Sequence, residues 1–197
     1  MLPLPVSVDE EARLEAVREY EPFKPFEDAA YAPILELARD LFEVPTAFIS
    51  FVDRDTQVFP VRRGLDVCGT DRSVSFCTHA IAREGTLVVL DATLDPRFAH
   101  NPLVTGAPHI RFYVGTPLVS PSGHAVGTLC LVDTKPRNVF TTTQCRHLGR
   151  LAELALDKLE LRRLQIASQV SQRRFENIAA TSSDGIICTN AEGDITF

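Results

Sequence analysis

The apolar positions of the chain are spaced first for helix, then for strand, then for helix again. Ser7, Val8, Asp9 and Glu10 have capping-box spacing: the serine hydroxyl can serve one helix amide while the glutamate three places on reaches back. Leu14 and Val17 follow at helical spacing, so an entry helix is expected within residues 1–25, broken by Pro22 and Pro25. A second amphipathic pattern runs through Tyr31, Ile34, Leu35, Ala38, Leu41 and Phe42. From Thr46 the period changes. TAFISFVD and QVFPVRRG are β-branched and aromatic runs separated by Asp53, Arg54 and Asp55, the signature of a hairpin. RSVSFCTHAI, from Arg72 to Ile81, reads as a short helix and TLVVLD as a buried strand. DPRFAHNPLVTGAPH is a loop dense in turn formers with room for one helical turn.

A second hairpin is expected from IRFYVGTPLVS and HAVGTLCLVDT, joined by Pro121, Ser122 and Gly123. Thr141 to Gln144 offer another capping box, and Leu148, Ala152, Ala155, Leu159, Ile166 and Val170 continue one stripe. Arg162 interrupts that seam, but the stripe exceeds what one small sheet can cover. Helix packing in a parallel homodimer is therefore expected. Finally, GIICTNAEGDITF alternates around Asn190, Ala191, Glu192 and Gly193, a hairpin whose second strand is cut at the last residue. Two strands do not fold alone, so the tail is expected to open a further domain.

Composition narrows the function classes. The chain has 197 residues, 45% hydrophobic and 23% charged, with a formal net charge of -6, so it has no basic field for a nucleic-acid backbone. Its apolar runs are far shorter than the roughly 20 residues of a membrane helix, and MLPLPVSVDEE lacks a basic n-region. A cytoplasmic segment without membrane contact is expected. The five cysteines show no C-x-x-C spacing, which argues against a disulfide framework or a structural zinc site.

The motifs ARDLFEVPTAFISFVDRD, SFCTHAI, LVVLDATLDPRFAHNPLVTGAPHIRFYVGTPL, GHAVGTLCLVDTKPR and LAELALDKLELR together resemble a GAF domain of bacterial sensory proteins. The tail RRFENIAATSSDGIICTNAEGDITF is similar to the opening of a PAS domain. The resemblance implies an α+β protein: a six-stranded antiparallel sheet flanked by helices, with a long C-terminal signalling helix leading into a truncated PAS domain. Its implied layout is an N-terminal helix over 1–25, the GAF domain over 26–163, a helical linker over 164–176 and the PAS start over 177–197. It further implies a homodimer through the N-terminal and C-terminal helices and a small-molecule ligand. A downstream output domain of the same chain would be a diguanylate cyclase or phosphodiesterase, or else a histidine kinase. Val58 stands where relatives commonly carry Trp, and Tyr31-Ala32 where they carry Phe-Asp. No NKFDE signature of the cyclic-nucleotide-binding subgroup is present.

Candidate site residues fall into two groups. Cys77 and His79 lie two apart and diverge by about 200 degrees on a helix, so they do not clamp one metal; Cys77 is expected in the core and His79 at the pocket rim. Redox sensing by Cys77 would need a lowered pKa, and the cation close in sequence, Arg72, is five residues away. On an extended strand Arg111 and Tyr113 share one face, able to grip a carboxylate or a ring. Asp91, Asp95, Arg97 and Phe98 come from the loop that lids the pocket in the resembling family. The plainer reading is an ion pair from Arg111 to an aspartate that pins this loop. A bilin at Cys77 lacks its accompanying DIP motif, and a haem could use His79, His100 or His109 with nothing to select one, so no cofactor is expected. A free methionine sulfoxide reductase is the enzyme alternative. It needs converging cysteines, and Cys77 and Cys130 are the two in the sheet region. No nucleophile elbow or phosphate loop is present.

Overall fold

Successive residues of the central strands, nearly all buried, alternate between two core clusters on opposite faces of one sheet. The computed structural model describes residues 9–26, 28–181, 188–189 and 195–196. Strands β1 (Thr46–Val52), β2 (Thr56–Arg63), β3 (Gly69–Asp71), β4 (Leu87–Val89), β5 (Phe112–Val119) and β6 (Ala125–Asp133) form one antiparallel sheet in the order β3-β2-β1-β6-β5-β4. Five of the six strands and both main hairpins follow the sequence pattern. The three-residue β3 was not anticipated, because GTD is short, its Gly and Asp disfavour strands, and it is recruited by the edge of β2.

One face of the sheet is closed by helices. Helix α1 (Glu10–Glu19), helix α2 (Asp28–Phe42) and the first half of helix α5 (Thr142–Thr181) cover it. Ile49 and Phe51 of β1, Phe112 and Val114 of β5, and Leu129 and Leu131 of β6 meet Leu35, Leu148, Ala152 and Ala155 there. Each fully buried side chain of this kind contributes roughly 1.5–3 kcal/mol. Their neighbours along the strands, Phe48, Tyr113 and Cys130, point to the opposite face with helix α3 (Phe76–Ile81). A short helix α4 (Pro102–Thr105) supplies the helical turn expected in the long loop.

Two helix starts repay inspection. The cap of α1 is Asp9, whose Oδ1 accepts from the Ala12 amide at 3.3 Å, and not the Ser7 that the sequence suggested; Ser7 and Val8 lie outside the described residues. An aspartate one step before the helix serves the same orphan donors. The second capping box is as expected: the Gln144 amide donates to Thr141 Oγ1 at 3.2 Å, and the Thr141 amide to Gln144 Oε1 at 2.8 Å. Helix α1 is locked onto the sheet by a buried cluster. Arg13 Nη1 donates to the Val52 carbonyl at 2.6 Å, and Glu10 accepts from both Arg13 and Arg72.

The chain divides into a unit of residues 1–160 and a unit of residues 161–197. In the second unit α5 continues to Thr181, with Leu161, Leu164, Val170 and Phe175 exposed. Strands β7 (Cys188–Thr189) and β8 (Ile195–Thr196) pair antiparallel, as the hairpin pattern of the tail predicts. The turn between them lies outside the described residues. Among the described residues no helix is long and apolar enough to cross a membrane.

Candidate functional site: a cavity walled by aromatic rings and a cysteine

A cavity of about 650 Å³ opens on the second face of the sheet. Phe48 and Phe59 form part of its wall, 4.6 Å apart between ring centroids, and Phe76, Leu103, Ile110 and Tyr113 close other sides. Its polar lining includes Thr46, Gln57, Thr70 and Asp133. A largely apolar concavity with a few fixed polar groups suits a small organic ligand.

The polar groups are held by their neighbours. Gln57 is buried in β2; its Nε2 donates to Thr70 Oγ1 at 2.7 Å and its Oε1 accepts from Ser75 Oγ at 2.6 Å. Ser75 in turn caps α3, accepting from the Thr78 amide at 3.0 Å. The glutamine thus sets the position of the helix that presents Phe76 and Cys77. Asp133 accepts from the Lys135 amide at 3.0 Å and from Arg137 Nη2 at 3.3 Å.

Beside the cavity runs a buried row of hydroxyls and thiols. Ser50 Oγ lies 2.7 Å from Thr128 Oγ1, which lies 2.7 Å from Cys130 Sγ. Cys130 Sγ is 3.4 Å from the Tyr113 hydroxyl and 3.5 Å from Cys77 Sγ. Strand register explains the row, since Ser50 pairs with Thr128 and Gly115 with Cys130. A Cβ on Gly115 would stand 2.2 Å from the Tyr113 hydroxyl, so this glycine makes room for the phenol. Burial opposes ionisation of both thiols. Hydrogen bonding from Cys130, Ser50, Thr128 and Tyr113 overcomes it at Cys77 and brings that thiol below its ordinary range, while Cys130 is pushed well up. Burial, and then the charge on Cys130, raises the Tyr113 phenol as well.

Of the seven residues proposed from sequence, Cys77 and Tyr113 line the cavity. The other five stand away from its lining. Arg111 precedes β5 instead of sharing a strand face with Tyr113, and its Nη1 donates to the carbonyls of Val104 at 2.9 Å and Ile110 at 3.1 Å. It pins the loop through main-chain oxygens in place of the expected aspartate ion pair. Asp91 makes a local turn, accepting from the Thr93 amide and hydroxyl, and Asp95 pairs with Arg97 at 2.5 Å. These hydrogen bonds hold both carboxyls below their usual range. Phe98 is fully buried, stacked 4.0 Å from Phe76, and His79 meets its edge at 4.9 Å. Burial lowers His79, Arg97 adds to that, and Asp95 opposes it. The loop 91–98 is a strap bracing Phe76 from behind.

Sequence reasoning passed over Gln57, Phe48 and Phe59; it placed Cys130 with Cys77 in the sheet region but did not count Cys130 among the site residues. The signal for Cys130 was present in TLCLVD: if Leu129 and Leu131 face the helices, the residue between them faces the cavity side.

The fold and the cavity together define an α+β domain whose sheet is closed by helices on one face and opens a cavity on the other. A family model described as the GAF domain matches residues 27–156, and the chain belongs to this family. Over 155 residues, 79% of this chain, it is 38% identical to a cyclic di-GMP phosphodiesterase of Pseudomonas aeruginosa, of which it spans 26%. Among solved structures it is similar to the free methionine-R-sulfoxide reductase of Neisseria meningitidis in complex with its substrate, with a TM-score of 0.55 and 23% identity, covering 84% of this chain and 99% of that one. It is likewise similar to the GAF domain of an Acinetobacter phosphoenolpyruvate-protein phosphotransferase, with a TM-score of 0.55, 16% identity, 79% of this chain and 95% of that one. These two likenesses are of fold.

Proposed function

We propose that this chain is the cytoplasmic input module of an enzyme of cyclic di-GMP turnover. In this reading a small, mainly apolar ligand fills the cavity, and the C-terminal helix, paired with its copy in a homodimer, carries the signal to an output domain. Residues 177–197 open a PAS domain on that path. One observation supports the reading above others: the strands that wall the cavity with Phe48 and Tyr113 bury Phe51, Phe112 and Val114 in the helix-covered core on their other face. Filling the cavity therefore bears on strands against which the first half of α5 packs. A ligand acts in this way only by binding two packing arrangements unequally. Leu161, Leu164 and Phe175 fall on a and d positions of one heptad register and are exposed, which suits a second helix.

The test is a chimera in which this chain replaces the matching region of the Pseudomonas phosphodiesterase. Small aromatic compounds that raise the thermal midpoint of the purified chain are expected to change cyclic di-GMP hydrolysis by the chimera. Phe59→Ala and Gln57→Leu are expected to weaken both effects together. Compounds that bind without changing turnover would sink the proposal.

A further inference from the structure

We infer that Cys77 and Cys130 are a thiol switch, oxidised to an intrachain disulfide by a small hydroperoxide that enters the cavity. The inference goes beyond the ligand and output reading above and does not need it.

Three observations carry it. The two sulfurs are already in contact at 3.5 Å, both buried, and brought together by elements far apart in sequence. They are inequivalent, because Cys77 lines the cavity while Cys130 is not among its lining residues. The hydroxyls of Thr128 and Tyr113 stand within hydrogen-bond distance of Cys130, and Ser50 adjoins Thr128, so the pair has donors that an apolar core would deny it. Those donors favour the thiolate of the pair, the form that attacks peroxides.

The chemistry balances with the hydroperoxide as the sole oxidant. The Cys77 thiolate attacks the peroxide oxygen, breaking the O–O bond to give a sulfenic acid and, after uptake of one proton, an alcohol or water. The Cys130 sulfur then attacks the Cys77 sulfur, forming the S–S bond and expelling hydroxide, which leaves as water with the Cys130 proton. Two electrons pass from two thiols to one peroxide. Closing the bond brings the sulfurs from 3.5 Å to about 2.0 Å. The six-residue helix α3 can supply that shift, because it rests on the sheet through side chains and one serine cap. The product tethers α3 to β6 and draws Cys77 off the cavity wall, which gives oxidation a route to the same sheet that α5 covers.

The chain carries its own comparators in exposed Cys68 and half-buried Cys145. The unmutated chain is treated with hydrogen peroxide at low equivalents, alkylated and digested. The expected result is a cross-link between the peptides bearing Cys77 and Cys130, lighter by two hydrogens and lost on reduction, formed before Cys68 or Cys145 is modified. Free thiols should fall by two. In Cys130→Ala the reaction should halt at a dimedone-reactive Cys77. Should that variant fail to fold, the mapping of the unmutated chain still decides. Oxidation of Cys68 first with Cys77 and Cys130 still alkylated, or a Cys77 linkage to any other cysteine, would overturn the switch. The same disulfide formed by free methionine sulfoxide and not by peroxide would overturn the choice of oxidant.

Discussion

The two faces of the sheet use the same strands for opposite ends. On the helix face Leu35, Phe51, Phe112, Val114, Leu129, Leu131 and Leu148 are each fully excluded from solvent and close on one another. On the other face, one residue along each strand, Phe48, Tyr113 and Cys130 border or back a 650 Å³ cavity and a row of hydroxyls and thiols. Unfilled space forfeits dispersion contacts, so the second face contributes less per residue to stability. The difference teaches where to look in such a sheet. Stability is read from the filled face and chemistry from the open one, and a residue's place along the strand, odd or even, decides which.

The sharpest test of that division compares two phenylalanines of β1. Phe51 packs between Tyr20 and Phe26 at centroid distances of 5.6 and 6.1 Å. Phe51→Ala is expected to lower unfolding free energy by about 4 kcal/mol in urea titrations. Phe48→Ala, beside an existing cavity, should cost roughly half as much, since the hole it leaves merges with space already present. Equal losses would break the comparison.

Next in size is Gly115. Its added methyl would meet the Tyr113 hydroxyl at 2.2 Å and ring atoms at 2.8 and 3.0 Å, in the crowded middle of the sheet. Gly115→Ala should cost about 1–3 kcal/mol, as overpacking does. Tyr113→Phe removes the nearest atom, so the double variant should lose less than the two singles summed. Strict additivity would mean that the glycine answers to something other than the phenol.

These pairs also mark what was legible beforehand. The helical period revealed α2 and α5, which bury one face, and β-branched and aromatic runs bounded by turn formers revealed both hairpins, whose strands β1, β5 and β6 are buried on both faces. The site was only partly legible. Cys77 and Tyr113 were named for plausible reasons, but Arg111 and Asp95 were chosen for charge, and charged loop residues spend their hydrogen bonds locally, on carbonyls, turns and each other. Whether a loop folds over a cavity or braces the wall behind it depends on tertiary packing, which no period encodes. The cysteine pair required the register of β6 against β1 and β5, a long-range fact.

A smaller effect belongs to the N-terminal helix, which draws on the filled face. Burial raises Glu10, but Arg13 and Arg72 hydrogen-bond it and hold its carboxyl at about 2. A depressed carboxylate lends stability that is complete above its unfolded value near 4.5 and is lost as pH falls toward 2. Its side chain keeps 17% exposure, so after solvent screening the contribution is roughly 1–2 kcal/mol. Glu10→Gln should therefore be less stable than the parent by that amount near neutrality, with the gap closing in acid. A gap that persisted unchanged to about pH 2 would remove the ion cluster from the account.

The smallest expected effect sharpens the open face. Asp95 holds Arg97 through Oδ1 at 2.9 Å and Oδ2 at 2.5 Å, and accepts from the Arg97 amide at 3.0 Å. All of this lies within the strap that carries Phe98 against Phe76. Asp95→Ala should cost about 0.5–1 kcal/mol, the range for a partly exposed pair with one turn hydrogen bond. Because Asp95 is the group that favours protonated His79, against burial and Arg97, its loss should lower the His79 titration midpoint in proton NMR. Affinity for any cavity ligand should stay within about twofold, under 0.5 kcal/mol. A strap that only braces Phe76 gives the first two results with the third unchanged. If affinity fell with them, loop 91–98 would have to close over the ligand, and the boundary drawn between cavity wall and bracing strap would move to include it.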